Sequence, residues 1–209
     1  MILTDDFKKV LSEMPDKEKD KLIIRLLKKD LALTNRLYFE LMQPASVEDL
    51  RERTMNRIHG RLNYVADSFH SPGFAMMSLR ETSGLINEHV SITKDKYGEI
   101  YLQLNMLDYF LDQNIENLQN YTQKKQHGLN IYIIGRLYKL LGQLLSFHED
   151  LRYDFKEILN TIAESMGKIP TLMHTAIYNG FDVNWLFNFE IPENIIQTQK
   201  ELRADGYLK

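Results

Sequence analysis

The 209-residue chain carries 26 Lys and Arg against 29 Asp and Glu, a net charge of -3, with 44% apolar and 26% charged side chains. A chain of this size buries roughly 70% of its unfolded surface; its composition excludes intrinsic disorder, and its charge excludes a global positive field for nucleic acid. With no cysteine, disulfides, thiolate nucleophiles and cysteine-ligated metal centres are excluded, which agrees with a cytoplasmic setting.

The first residues, MILTDDFKKVLSEM, lack the uninterrupted apolar core of a secretory signal. Thr4 is placed to cap a helix whose first turn holds Asp5 and Asp6, where the helix dipole favours acid. Pro15 suits the start of a second helix, in which Leu22, Ile23, Leu26 and Leu27 form an apolar stripe beside solvated lysines. Asp30 caps a third helix running to Met42, with Leu33, Leu37, Phe39 and Leu41 expected to turn inward or partly so and Pro44 to close it.

Ser46 opens a fourth helix, with Asp49 as a capping-box partner. Val47, Leu50, Thr54, Ile58, Leu62, Val65 and Phe69 recur every three or four residues, which predicts one buried face. The stretch SFHSPGFAMMSLRETSGLINEHV (68–90) then raises the question of an active-site loop. A nucleophilic Ser71 needs a histidine in reach, and His89 would stand about 27 Å away along a straight helix. Ser71 is therefore read as an N-cap, Pro72 as the first helical residue, and Ala75, Leu79, Thr82, Ile86 and Val90 as the buried stripe.

VSITKDKYGEIYLQL (90–104) supports two readings. Val90, Ile92, Ile100, Leu102 and Leu104 alternate as in a β-hairpin around KDKYG, whereas Ile100, Leu104, Leu107, Leu111, Ile115 and Leu118 hold helical spacing. The helix explains more of these residues and is preferred. Residues 97–120 carry acids and no base, and residues 124–147 bases and no acid, which predicts two antiparallel helices attracting at their rims. The apolar run from Leu129 to Leu145 is broken by Arg136 and Lys139 and reads as a core helix, so no membrane span is expected. Leu151, Phe155, Ile158, Leu159 and Ile162 mark the next helix, Pro170 starts a short one, and Pro192 precedes a polar last helix. The fold class is all-α: a single domain over 1–209, an irregular bundle or stack of about ten helices, with a small hairpin near 90–104 as the alternative.

Six histidines occur, none in an H-x-x-x-H, H-x-H or H-E-x-x-H spacing, so no metal site and no cofactor are assigned. His148, Glu149 and Asp150 are the densest titratable cluster and the weak catalytic candidates, though two acids there also suit a helix start. Arg53, Arg57 and Arg61 stack four apart along one helix and are the candidate binding row for phosphates or a partner's acidic helix. Trp185, the only tryptophan, stands among Phe181, Phe187 and Phe189 as an anchor for the last helix or as a partner patch. Residues 170–184, PTLMHTAIYNGFDVN, half echo an ankyrin repeat, with Pro and Thr inverted and no second copy, and nothing is carried over from it. These features point to a non-catalytic protein-interaction module. The alternatives are a nucleic-acid binder using the arginine row, winged-helix-like if 90–104 forms a hairpin, and an enzyme using His148, Glu149 and Asp150.

Overall fold

The computed structural model describes residues 4–42 and 45–209; Pro44, expected to close the third helix, lies outside the described residues. Among the described residues every regular element is helical. The helices are α1 (Asp5–Glu13), α2 (Asp16–Leu27), α3 (Leu31–Met42), α4 (Val47–Asp67), α5 (Pro72–Thr93), α6 (Lys96–Gln119), α7 (Gln123–Leu144), α8 (Glu149–Tyr153), α9 (Lys156–Gly167), α10 (Pro170–Tyr178), α11 (Asn184–Phe187) and α12 (Ile195–Ala204). None is long and apolar enough to cross a membrane.

Local capping chemistry sets most of the helix starts. Thr4 accepts the Phe7 N–H, Asp30 the Leu33 N–H and Ser71 the Phe74 N–H. Ser46 and Asp49 form the reciprocal capping box, each side chain taking the other's backbone N–H at 3.0 Å.

The hairpin alternative at 90–104 is overturned. Helix α5 runs to Thr93 and α6 starts at Lys96, so the chain reverses over two residues, with Lys94 in the left-handed region at φ 59. Asp95 caps α6 by accepting the Gly98 N–H at 2.7 Å. Gly98, which the hairpin would have used for a positive φ, is instead a buried helical residue. The strand-like alternation has a physical cause. Helix α6 is buried on several sides, so Leu102, Met106 and Phe110 join Ile100, Leu104, Leu107 and Leu111 in the core.

Around α6 the other long helices close one contiguous core. Helix α4 packs on α5 and α6, α5 on α7, α6 on α9, α7 on α10 and α12, and α9 on α11. Ile58 and Leu62 of α4, Leu79 and Ile86 of α5, Leu137 and Leu141 of α7, and Leu159 and Ile162 of α9 are fully buried. Each such side chain contributes about 1.5–3 kcal/mol relative to exposure. Buried polar groups find partners at the reversals. Gln126 donates to the Leu118 and Tyr121 carbonyls and accepts from Thr171, which fixes the α6–α7 turn.

The carbonyls after α7 are closed by Arg152, whose Nε donates to Phe147 O and Nη2 to Leu145 O, both at 2.7 Å. Arg152→Ala is expected to cost about 1–3 kcal/mol. It should appear as a lower urea midpoint with an unchanged slope. Arg152→Lys should recover only part of this, because an ammonium cannot reach both carbonyls as a planar fork does.

The N-terminal helices differ from expectation. Helix α3 packs on α5, yet no side chain of α1, α2 or α3 is fully buried. Of the four residues expected to face inward or partly so, Leu37 and Phe39 are half-buried, whereas Leu33 and Leu41 are 37% and 77% exposed. Helix α5 commits its stripe of Ala75, Leu79, Thr82 and Ile86 to the body, so α3 meets only its remaining faces.

Candidate functional site

The arginine row lies along α4, but it is divided between different partners. Arg57 Nη1 reaches Glu88 Oε2 at 3.3 Å and Arg61 Nη2 reaches Glu81 Oε2 at 2.6 Å, both across to α5. These are solvent-facing interhelical pairs of modest worth. Arg53 follows Asp49, whose carboxyl is held below its usual range first by the Ser46 hydrogen bonds and to a lesser degree by the Arg53 charge. Arg51, one step from the row, turns the other way to a near-buried Asp95 at 2.7 Å. The row therefore laces α4 to α5, and only Arg53 stands without a carboxylate in salt-bridge contact among the described residues.

His148, Glu149 and Asp150 do sit together, at the start of the short α8. His148 Nδ1 accepts the Asp150 N–H at 3.4 Å and lies 3.2 Å from its carboxylate, with both side chains largely in solvent. This is a capping arrangement. Trp185, half-buried on α11, stands edge-on to Tyr138 at 6.0 Å and to Phe181 at 5.4 Å. It locks the 181–187 segment onto α7, while Phe187 beside it stays 41% exposed.

A second basic surface was not legible in the row. Between α5, α7 and α12 opens a cavity of about 400 Å³ lined by Arg80, Arg136, Lys139 and Arg203, with Tyr132 and Gln199. Helix α7 supplies one face of it through Gly128, Ile131, Tyr132, Gly135, Arg136 and Lys139, positions that fall at i, i+3, i+4, i+7, i+8 and i+11. The Tyr132 ring lies under both the Arg80 guanidinium, at 5.8 Å, and that of Arg136, at 5.1 Å. Its hydroxyl stands 2.9 Å from Ser83 Oγ and accepts from Arg136 Nη2 at 2.9 Å, which fixes the ring. Gln199 donates to the Gly135 carbonyl at 3.2 Å and ties α12 to the cavity wall.

The charge segregation between α6 and α7 explains part of this. One rim pair forms, Lys139 to Glu99 at 3.7 Å, while Arg136 turns to the cavity instead of to an α6 acid. The helical spacing of Gly128, Tyr132, Gly135, Arg136 and Lys139 is a signal present in the sequence; Arg80 and Arg203 join it only through packing. Set beside known proteins, the chain matches no family model, no curated protein and no solved structure.

Proposed function

We propose that the protein is a non-catalytic interaction module, with α4–α12 as a rigid platform and α1–α3 as its docking arm. The observation that carries this reading is the burial pattern of the arm. Helices α1–α3 hold no fully buried side chain, and leave Ile23, Ile24, Leu26, Leu31, Leu41 and Met42 at least half exposed. Exposed apolar side chains in this number on successive helices support an interaction role. Along α2 a groove of about 430 Å³ places Ile24 among Lys21, Arg25, Lys28 and Lys29. The complementary partner is a protein with an apolar ridge rimmed by acidic side chains, docking as a helix does in a groove. A cytoplasmic setting belongs to this proposal and agrees with a chain that has no cysteine. The engagement of Arg57 and Arg61 by glutamates weighs against nucleic acid on that face.

The test is cross-linked capture from native lysate, quantified by mass spectrometry, after nuclease treatment. A defined acidic-rimmed protein partner should be enriched by the wild type and by Arg57→Gln. It should fall about tenfold or more with Ile24→Glu/Leu41→Glu. Because these side chains are exposed, the double variant should keep the wild-type circular dichroism and melting temperature. Equal capture by the folded double variant refutes the docking arm.

A further inference from the structure

We propose that the cavity between α5, α7 and α12 is a binding site for a phosphate-bearing small molecule, gripped by Arg80, Arg136 and Arg203. The three arginines of α4 that reach across to other elements each meet a carboxylate, Arg51 with Asp95, Arg57 with Glu88 and Arg61 with Glu81, while Arg152 of α8 closes two backbone carbonyls. Among the described residues, no carboxylate lies within 4.0 Å of Arg80, Arg136 or Arg203. Three guanidiniums from three different helices thus converge on one space with no anion from the chain itself. Lys139, the fourth cation, is already met by Glu99.

The site is held in place before any ligand arrives. Tyr132 supports the Arg80 and Arg136 guanidiniums through its ring and is itself pinned by Ser83, so these two arginines do not have to be ordered from free rotamers on binding. Gln199 fastens α12, and with it the helix that carries Arg203, to the Gly135 carbonyl. The charge calls for more than a carboxylate. A single negative charge satisfies one fork, whereas a phosphate offers up to two charges and three acceptor oxygens to planar, bidentate donors. The volume, about 400 Å³, falls within the usual range for small-molecule sites of roughly 300–1,000 Å³. It leaves room for an organic body against Ile131 and Leu208. Gly135 keeps the floor open: a Cβ there would stand 3.8 Å from Arg203 Nη2, so a larger side chain would grow into the cavity.

Isothermal titration calorimetry with pyrophosphate as the probe tests this, with acetate at matched ionic strength and a single-stranded oligonucleotide as the other arms. Pyrophosphate should bind, acetate should not, and added sodium chloride should weaken the interaction. Arg136→Gln and Arg203→Gln should each weaken it by about tenfold to a hundredfold, and Arg53→Gln should leave it unchanged. Gly135→Leu, which fills the cavity without altering any charge, should abolish binding in a protein that still melts cooperatively. Three results overturn the proposal: no pyrophosphate binding to the wild type, undiminished binding in both the Arg203→Gln and Gly135→Leu proteins, or binding of the oligonucleotide alone. None of these variants touches α1–α3, so the outcome is separate from that of the docking arm.

Discussion

Asp95→Ala is expected to destabilise the protein by about 3–5 kcal/mol, because it strips the acid from a near-buried charge network. Asp95 Oδ2 accepts from Arg51 Nε at 2.9 Å and Nη2 at 2.7 Å and lies 3.2 Å from His89 Nε2, while Oδ1 caps α6 through Gly98. The Asp95 side chain is only 7% exposed and that of His89 1%. Removing the carboxylate therefore strands two buried donors and uncaps the central helix at once. Asp95→Asn keeps the shape and part of the cap, and should fall between alanine and the wild type in urea denaturation.

The pH dependence of the same group is a separate check. Burial pushes the Asp95 carboxyl up, but hydrogen bonds from Gly98, Arg51 and His89 outweigh it and hold the group below its ordinary range. A depressed folded value means that the folded state binds this proton less readily than the unfolded chain does. The stabilisation is thus present above an unfolded value of about 4 and is lost as pH falls through the folded one. Wild type and Asp95→Asn should converge in stability as the solution is acidified. A constant gap across that window contradicts the assignment. Gly98→Ala tests the packing of the network. Glycine to alanine inside a helix ordinarily gains about 0.5–1 kcal/mol. Here the new Cβ would collide with the Asp95 carboxylate and come 2.7 Å from Arg51 Nε, so the sign should reverse.

Tyr138→Ala is expected to cost about 3–5 kcal/mol, and to release Trp185 from its seat. Tyr138 is the largest fully buried side chain, its ring set edge-on to Phe181 and Trp185 and its hydroxyl donating to the Asn179 carbonyl at 3.2 Å. Since Trp185 is the only tryptophan, its fluorescence reports this joint directly. Emission should shift to the red and become quenchable by iodide in the variant, before global unfolding. Tyr138→Phe keeps the ring contacts and should cost only about 1 kcal/mol. Burial pushes the Tyr138 phenol up to about 12. A folded value above the unfolded one, near 10, stabilises below that pH and is lost as pH rises through about 12. Tyr138→Phe should lack this alkaline component, so an identical alkaline profile would rule it out.

Much of the fold was legible because its signals are local. The caps at Thr4, Asp30, Ser46 and Ser71 need only neighbouring backbone N–H groups, and each forms as its spacing implies. Thr54, Ile58, Leu62 and Val65 are the buried residues of α4, as a single amphipathic face requires. Helix α6 was harder to read. A helix enclosed by neighbours has apolar residues at positions that also fit a strand, and periodicity alone does not separate the two. The arm α1–α3 shows the opposite failure: its stripes have the pattern of buried faces, but a stripe states only that a face is apolar, not that a partner within the chain covers it.

For this protein the sequence by itself did not show the short α11 or the break between α8 and α9; it determined most of the long helices, where several of them begin, and which face of α4 and α5 turns to the core. These follow from hydrogen bonds and periodicities spanning at most a few residues. Only the tertiary structure decided what each charge does. Arg57, Arg61 and Arg136 are chemically identical, yet two meet glutamates on α5 and the third faces a cavity with Arg80 and Arg203. That difference depends on how the helices rotate and pack against one another, which no spacing along a single helix encodes.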